Sequence, residues 1–294
     1  MKRLLTALLA LLGLLGAPAC FAIGPYLTGT PLPAGELPAL MAQLEQKLRA
    51  DGFNVVGRHL PRGLPQQGSV VVTDAKLLDA VRAAGGPAIV AAAIRVGVKN
   101  DGTVSYMNPD YWGRAYLRGQ FDAAQPALRS VRERLAHALG AGAAFGGDVP
   151  EADLANYRYM FGMERIDSPR NELNAFGSFD EALRTVRDNL AKGLGRTAAV
   201  YEVVTPEAQL AVFGVAMNDP ETGEGAWVST IGADHVAALP YEIFIVGGKV
   251  YALYGRYRIA LSWPALGMGQ FMRIVRTPDN IHQTMGRLAG APAP

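Results

Sequence analysis

The segment Tyr254-Gly-Arg-Tyr-Arg-Ile259 holds the residues best suited to grip a ligand. Read as an extended strand, it turns Arg256 and Arg258 to one face and Tyr257 and Ile259 to the other. Two guanidiniums about 7 Å apart on one strand face can clasp a carboxylate or phosphate through forked donors. Glu242 and His235 lie nearby in sequence, and Tyr254 and Trp263 can supply an aromatic wall. The expected ligand is a small anion, held by Arg256, Arg258, Tyr254, Glu242, His235 and Trp263. A half-buried strand with merely solvated arginines would have the same sequence.

Other chemistries find less support. His59, His137, His235 and His282 are far apart, with none of the short spacings of common zinc sites. Met160, Met163, Met268 and Met272 have spacings at which thioethers could meet around copper, but methionine also fills gaps in cores. No Gly-x-Ser-x-Gly elbow is present. The run Gly140-Ala-Gly-Ala-Ala-Phe-Gly-Gly147 lacks the lysine of a phosphate loop and reads as a connector. No catalytic residue, metal site or cofactor is therefore expected. The alternative is a hydrolase-like or metal-dependent enzyme, copper-handling included, with its site between two halves.

The N-terminus has the layout of a secretory signal peptide over residues 1–22. Met1-Lys-Arg3 is positive, Leu4 to Leu15 is apolar, and Ala17, Ala19 and Ala22 offer small residues for cleavage. The expected location is periplasmic or secreted. Cys20, the one cysteine, could carry a lipid only if cleavage fell before it, and Ala17 stands where a lipoprotein signal prefers Leu. Removing the leader takes Lys2 and Arg3 from 28 basic residues and leaves 26 against 26 acidic ones. That balance argues against nucleic acid, whose affinity rewards a basic excess. No later run is long and apolar enough to span a membrane; Ala88 to Ile94 is followed at once by Arg95. The expected partners are a small anionic ligand or another envelope protein.

The elements that must position these residues follow from periodicity. Leu37, Leu40, Met41, Leu44 and Leu48 recur at helical spacing before Gly52. Strands are expected at 53–56 and 69–72, then a helix capped by Asp74 and ended by Gly85-Gly86. A hairpin over Asn100-Asp101-Gly102 joins strands at 89–98 and 103–107. Leu128, Val131, Leu135 and Leu139 mark a third helix. The second half repeats this order: a capped helix from Ser178, strands at 198–204 and 210–216, a hairpin over Gly247-Gly248 and a helix at 279–288. Tyr157 to Met163 is read as that half's first strand.

Short matches recur between the halves. Gly102-Thr-Val104 answers Gly248-Lys-Val250, Trp112 answers Trp263, and Gly119-Gln-Phe121 answers Gly269-Gln-Phe271. This predicts one module used twice, with an insertion at 255–261 in the second copy. The expected fold class is α+β: two similar modules, each a small antiparallel sheet with helices on one face. The first repeat spans 23–145, a connector and second repeat 146–289, and a disordered tail 290–294. Ala50-Asp-Gly-Phe-Asn-Val55 and the hairpin Leu239-Pro-Tyr-Glu-Ile-Phe-Ile-Val-Gly-Gly-Lys-Val250 resemble the domain-of-unknown-function 302 family. That resemblance implies small α+β units and transfers no catalytic residue. The functional expectation is an exported binding or accessory module.

Overall fold

The computed structural model describes residues 21–291, so the leader's apolar run, Cys20 and residues 292–294 of the expected tail lie outside it. β1 (Ala22–Ile23) and β2 (Tyr26–Thr28) precede α1 (Leu37–Ala50), β3 (Asn54–His59) and β4 (Gln67–Thr73). α2 (Ala75–Ala84), β5 (Ile94–Lys99), β6 (Val104–Met107), α3 (Pro109–Leu117) and α4 (Phe121–Leu139) follow. β7 (Ala144–Phe145), β8 (Val149–Pro150) and α5 (Glu151–Leu154) lead to β9 (Glu172–Ala175), α6 (Phe179–Ala191), β10 (Thr197–Thr205) and β11 (Leu210–Met217). The chain closes with α7 (Glu224–Ile231), β12 (Tyr241–Val246), β13 (Lys249–Tyr251), α8 (Gly255–Ser262), α9 (Met268–Arg273) and α10 (Thr277–Leu288).

The protein has an α+β fold with antiparallel sheets. One sheet runs β3-β4-β5-β6-β2-β7 and the other β10-β11-β12-β13-β9. In each, four strands form a meander and the strand that opens the half returns to the meander's last edge. β1 pairs with β8 in a separate ribbon.

The helices show why the sequence settles this way. α1 buries Leu37, Leu40, Met41, Leu44 and Leu48, and α6 buries Phe179, Ala182, Leu183, Val186 and Leu190. Each pair is 142 residues apart (179 − 37), so the two apolar stripes have one pattern. α4 buries Val131, Leu135, Ala138 and Leu139; α10 and the residue after it bury Ile281, Met285, Leu288 and Ala289, each 150 residues on (281 − 131). Gly140 and Gly290, at the same spacing, end these helices with φ of 89° and 69°. Only glycine takes that conformation without a Cβ penalty.

Four expectations need correction. Residues 255–261 are neither an insertion nor extended but the helix α8, which follows its hairpin as α3 follows β6. The extra residues of the second half instead lie between α8 and α9. The strand expected from Ile89 is a 3₁₀ segment over Gly86–Ala92, with β5 starting only at Ile94. Gly86-Pro87 opens it, because proline suits a first helical turn and cannot donate to a sheet ladder. Tyr157 to Met163 forms turns, and β9 takes the place of the expected first strand. The glycine run after α4 is no free connector, since its Ala144–Phe145 pairs with β2.

Candidate functional site

Both sheets carry a β-bulge at the same rung, between Val55 and Gly57 in β3 and between Ala199 and Tyr201 in β10. Counting across from the residue after each bulge gives the row Gly57–Val71–Arg95 in one sheet. The corresponding row in the other is Tyr201–Gly214–Glu242. Arg95 and Glu242 thus hold matching ladder positions, and they form an ion pair with each other. Gly57 and Tyr201 also match and also touch: a Cβ on Gly57 would collide with the Val200 carbonyl oxygen and crowd Tyr201. Trp112 and Arg258, each the fourth residue of its helix (α3 and α8), make a third such contact. The guanidinium carbon lies 5.3 Å from the ring centroid. Contacts between a position and its own counterpart are the mark of packing about a local two-fold axis.

The seam along this axis is charged and buried. Arg258, brought in by α8, donates from Nε and Nη2 to Glu242 at 2.9 and 3.1 Å. Arg95 donates to the same carboxylate from the opposite half. Both arginines also hold the 3₁₀ segment Val236–Ala238: Arg95 Nε reaches the Ala237 carbonyl and Arg258 Nη2 the Ala238 carbonyl, both at 2.9 Å. That segment packs on β4, β5 and β6, while Gly86–Ala92 packs on β11 and β12, so the halves exchange equivalent pieces. Arg95, Arg258 and Glu242 are at most 1% exposed. Burial acts to raise the Glu242 carboxyl, but Arg258 and Arg95 outweigh it and hold the group below its ordinary value. Burial pushes the surrounding phenols up, Tyr116 to about 12, and keeps them neutral. Among the described residues Tyr201 Oη finds no hydrogen-bond partner, and Arg95 Nη2 has none that meets ordinary geometry. Two guanidiniums thus share the one Glu242 carboxylate.

Four of the six expected site residues meet here. Glu242 and Arg258 are bonded as above. Arg258 also donates to the Ser262 hydroxyl, and the Ser262 carbonyl accepts from Tyr26 Oη at 3.1 Å and His235 Nδ1 at 3.0 Å. His235 stacks on Trp263 with centroids 5.3 Å apart and also meets Tyr26 and Phe145. Burial lowers its pKa to about 4, with the Ser262 bond acting against the fall, so the imidazole is neutral with its proton on Nδ1. Arg256 and Tyr254 lie elsewhere. A helix separates residues two apart by more than half a turn, so Arg256 and Arg258 diverge instead of forming a pair. Arg256 binds Glu164 at 2.5 and 3.0 Å, and the Tyr254 hydroxyl bonds Asp279. The expected two-arginine clasp on one strand face is therefore not formed.

Sequence reasoning missed Arg95, the phenols, and a second buried pair, His59 Nε2 to Glu224 Oε2 at 2.7 Å. A usable signal existed for Arg95. A guanidinium inside an apolar strand must find a carboxylate, and Glu242 interrupts the matching strand of the other half. The His59 pair also bridges the halves, β3 to α7, and is 2% and 0% exposed. Its counterpart position is Val203, so this polar link exists on one side of the axis alone.

Clefts open elsewhere. One of about 670 Å³ lies where the halves meet, lined by Arg62 and Gly63 from one and by Arg196, Thr197, Asn218, Asp219 and Gly225 from the other, and it includes none of Arg95, Glu242 and Arg258. The thioethers also lie apart from it: Met268 and Met272 are one turn apart on α9, near the turn that carries Met160 and Met163. Among the described residues no group of three or more His, Cys, Asp or Glu side chains could hold a metal ion, and no helix is long and apolar enough to cross a membrane. Comparison with protein-family models, with curated proteins and with solved structures returns no match, and the function must be read from this chain's own geometry.

Proposed function

We propose that the chain is an exported, internally duplicated α+β protein that acts as a non-catalytic binding or accessory module of the cell envelope. Duplication is supported by the common strand order, the matched helix stripes and the contacts between counterpart positions. The resemblance to the domain-of-unknown-function 302 family belongs to the same reading. The observation that carries the non-catalytic part is the use made of the seam's charges. Arg95 and Arg258 pair with Glu242, and His59 pairs with Glu224, all of them buried, where a catalytic group would need access to substrate. Their work is to join the halves in one register, a role that buried ion pairs can serve even when they add little net stability.

Native mass spectrometry of the protein purified from its own envelope tests this. The expected result is a chain beginning at or near Ile23, with any retained small molecule seen as added mass. An uncleaved leader or a lipid on Cys20 would overturn soluble export. A stoichiometric copper ion lost on changing Met160, Met163, Met268 or Met272 would favour the metal-dependent alternative.

A further inference from the structure

The helix α9 and the turn that packs against it carry an apolar patch the fold does not use. Tyr159 ties them together: its ring lies 5.7 Å from Phe271, and its hydroxyl donates to the Leu266 carbonyl at 3.4 Å. Phe271 points inward and is buried, whereas Met268 and Met272, one helical turn apart, point outward with Val275 beyond them. From the turn, Met160 is also exposed and Phe161 is 97% exposed, the most open large apolar side chain described. A phenylalanine left almost wholly in water forgoes the stabilisation its burial would bring, and grouped exposed apolar residues mark an interaction surface.

Charge says what kind of surface it meets. Arg158, Arg273 and Arg276 flank the patch, all exposed, and none has a carboxylate within ion-pair distance among the described residues. Neighbouring Arg165, Arg170 and Arg256 are all paired. Arg158 lies 6.0 Å from the Phe161 ring, so the cation and the most exposed apolar group are presented together. Asp148 and Asp153 line the same cleft as Arg158, without forming an ion pair with it, and α9 with the residues up to Arg276 carries no acid. Thioethers and a phenyl ring that can enter the acyl boundary, ringed by guanidiniums at headgroup level, suit a membrane interface.

We infer that this patch docks the protein on an anionic phospholipid surface. Phe161, Met268 and Met272 enter the interface, and Arg158, Arg273 and Arg276 bind lipid phosphates. The inference rests on reading the chain as an envelope module, but a test with purified protein reads the patch wherever the chain is delivered.

The test is co-sedimentation of the mature protein with phosphatidylcholine vesicles, with and without phosphatidylglycerol. Binding is expected to need the anionic lipid and to weaken with salt. Phe161→Ser/Met272→Ser and, separately, Arg273→Gln/Arg276→Gln should each reduce it by at least about tenfold, as loss of buried apolar area or of two near-surface cations predicts. The melting midpoint of both variants should stay at the wild-type value, because these side chains are exposed. Absence of binding to anionic vesicles overturns the inference, as does equal binding to both vesicle types that neither variant changes. A photo-crosslinker at Phe161 that captures an envelope protein, with no vesicle binding, would assign the patch to a protein partner instead.

Discussion

Glu242→Gln should be the most damaging single change in the seam. It removes one charge and leaves Arg95 and Arg258 buried, adjacent and unpaired. Removing one partner of a buried pair costs about 3–5 kcal/mol, and this carboxylate serves two cations. For a chain of this size such a loss lowers the melting midpoint by roughly 6–20 °C. Urea denaturation followed by circular dichroism would measure it, with a fall in the midpoint at constant slope marking a true stability change. The triple change Arg95→Met/Glu242→Leu/Arg258→Met should keep more stability than Glu242→Gln, even though the Ala237 and Ala238 carbonyls lose their donors. The pH dependence has a definite sign. The folded Glu242 pKa lies below its unfolded value, so its contribution is complete above the ordinary carboxylate range and is lost as pH falls through the folded pKa. The variant should therefore show a shallower acid limb than wild type. A Glu242→Gln midpoint equal to wild type would refute the view that these charges hold the halves together.

Arg256→Ala should cost no more than about 1 kcal/mol, because its pairing with Glu164 is partly solvated; a loss as large as that from Arg258→Ala would contradict the different roles of the two arginines. Gly57→Ala places a methyl group against the Val200 carbonyl and should destabilise by about 1–3 kcal/mol in the same urea assay, while an unchanged midpoint would show that the seam is looser than described. His235 should titrate in NMR near pH 4, so that it stays neutral at pH 6. Its lowered folded pKa means that stability falls as pH drops from its unfolded value, about 6.5, toward 4. A titration midpoint near 6.5 would place the ring in water rather than against Trp263 and Tyr26.

Local signals carried the elements well. The Leu37 to Leu48 stripe, the Asp74 cap and the Asp101-Gly102 turn all act within a few residues, and the structure has α1, α2 and the β5–β6 hairpin where they point. The same locality misled at Tyr254 to Ile259. Its alternating apolar and charged residues fit a strand, yet the preceding strand β13 already has partners on both sides, β12 and β9. The chain therefore closes its own hydrogen bonds as α8. That one change of element turned a surface clasp into a buried arginine and a separate, partly exposed one. The Trp112–Trp263 match likewise misaligned the halves, because ladder rungs and helix starts equate Trp112 with Arg258.

The sequence by itself determined the α+β class and most element positions, because hydrophobic period, caps and turns depend on near neighbours in the chain. Only the tertiary structure decided which charges meet. Arg95 and Glu242 are 147 residues apart, and their pairing depends on how one twisted sheet lies against the other. No local preference encodes that placement. It arises when burial of both apolar faces forces the matching rows together, and the cost of an unpaired buried charge then requires Arg95, Glu242 and Arg258 to satisfy one another.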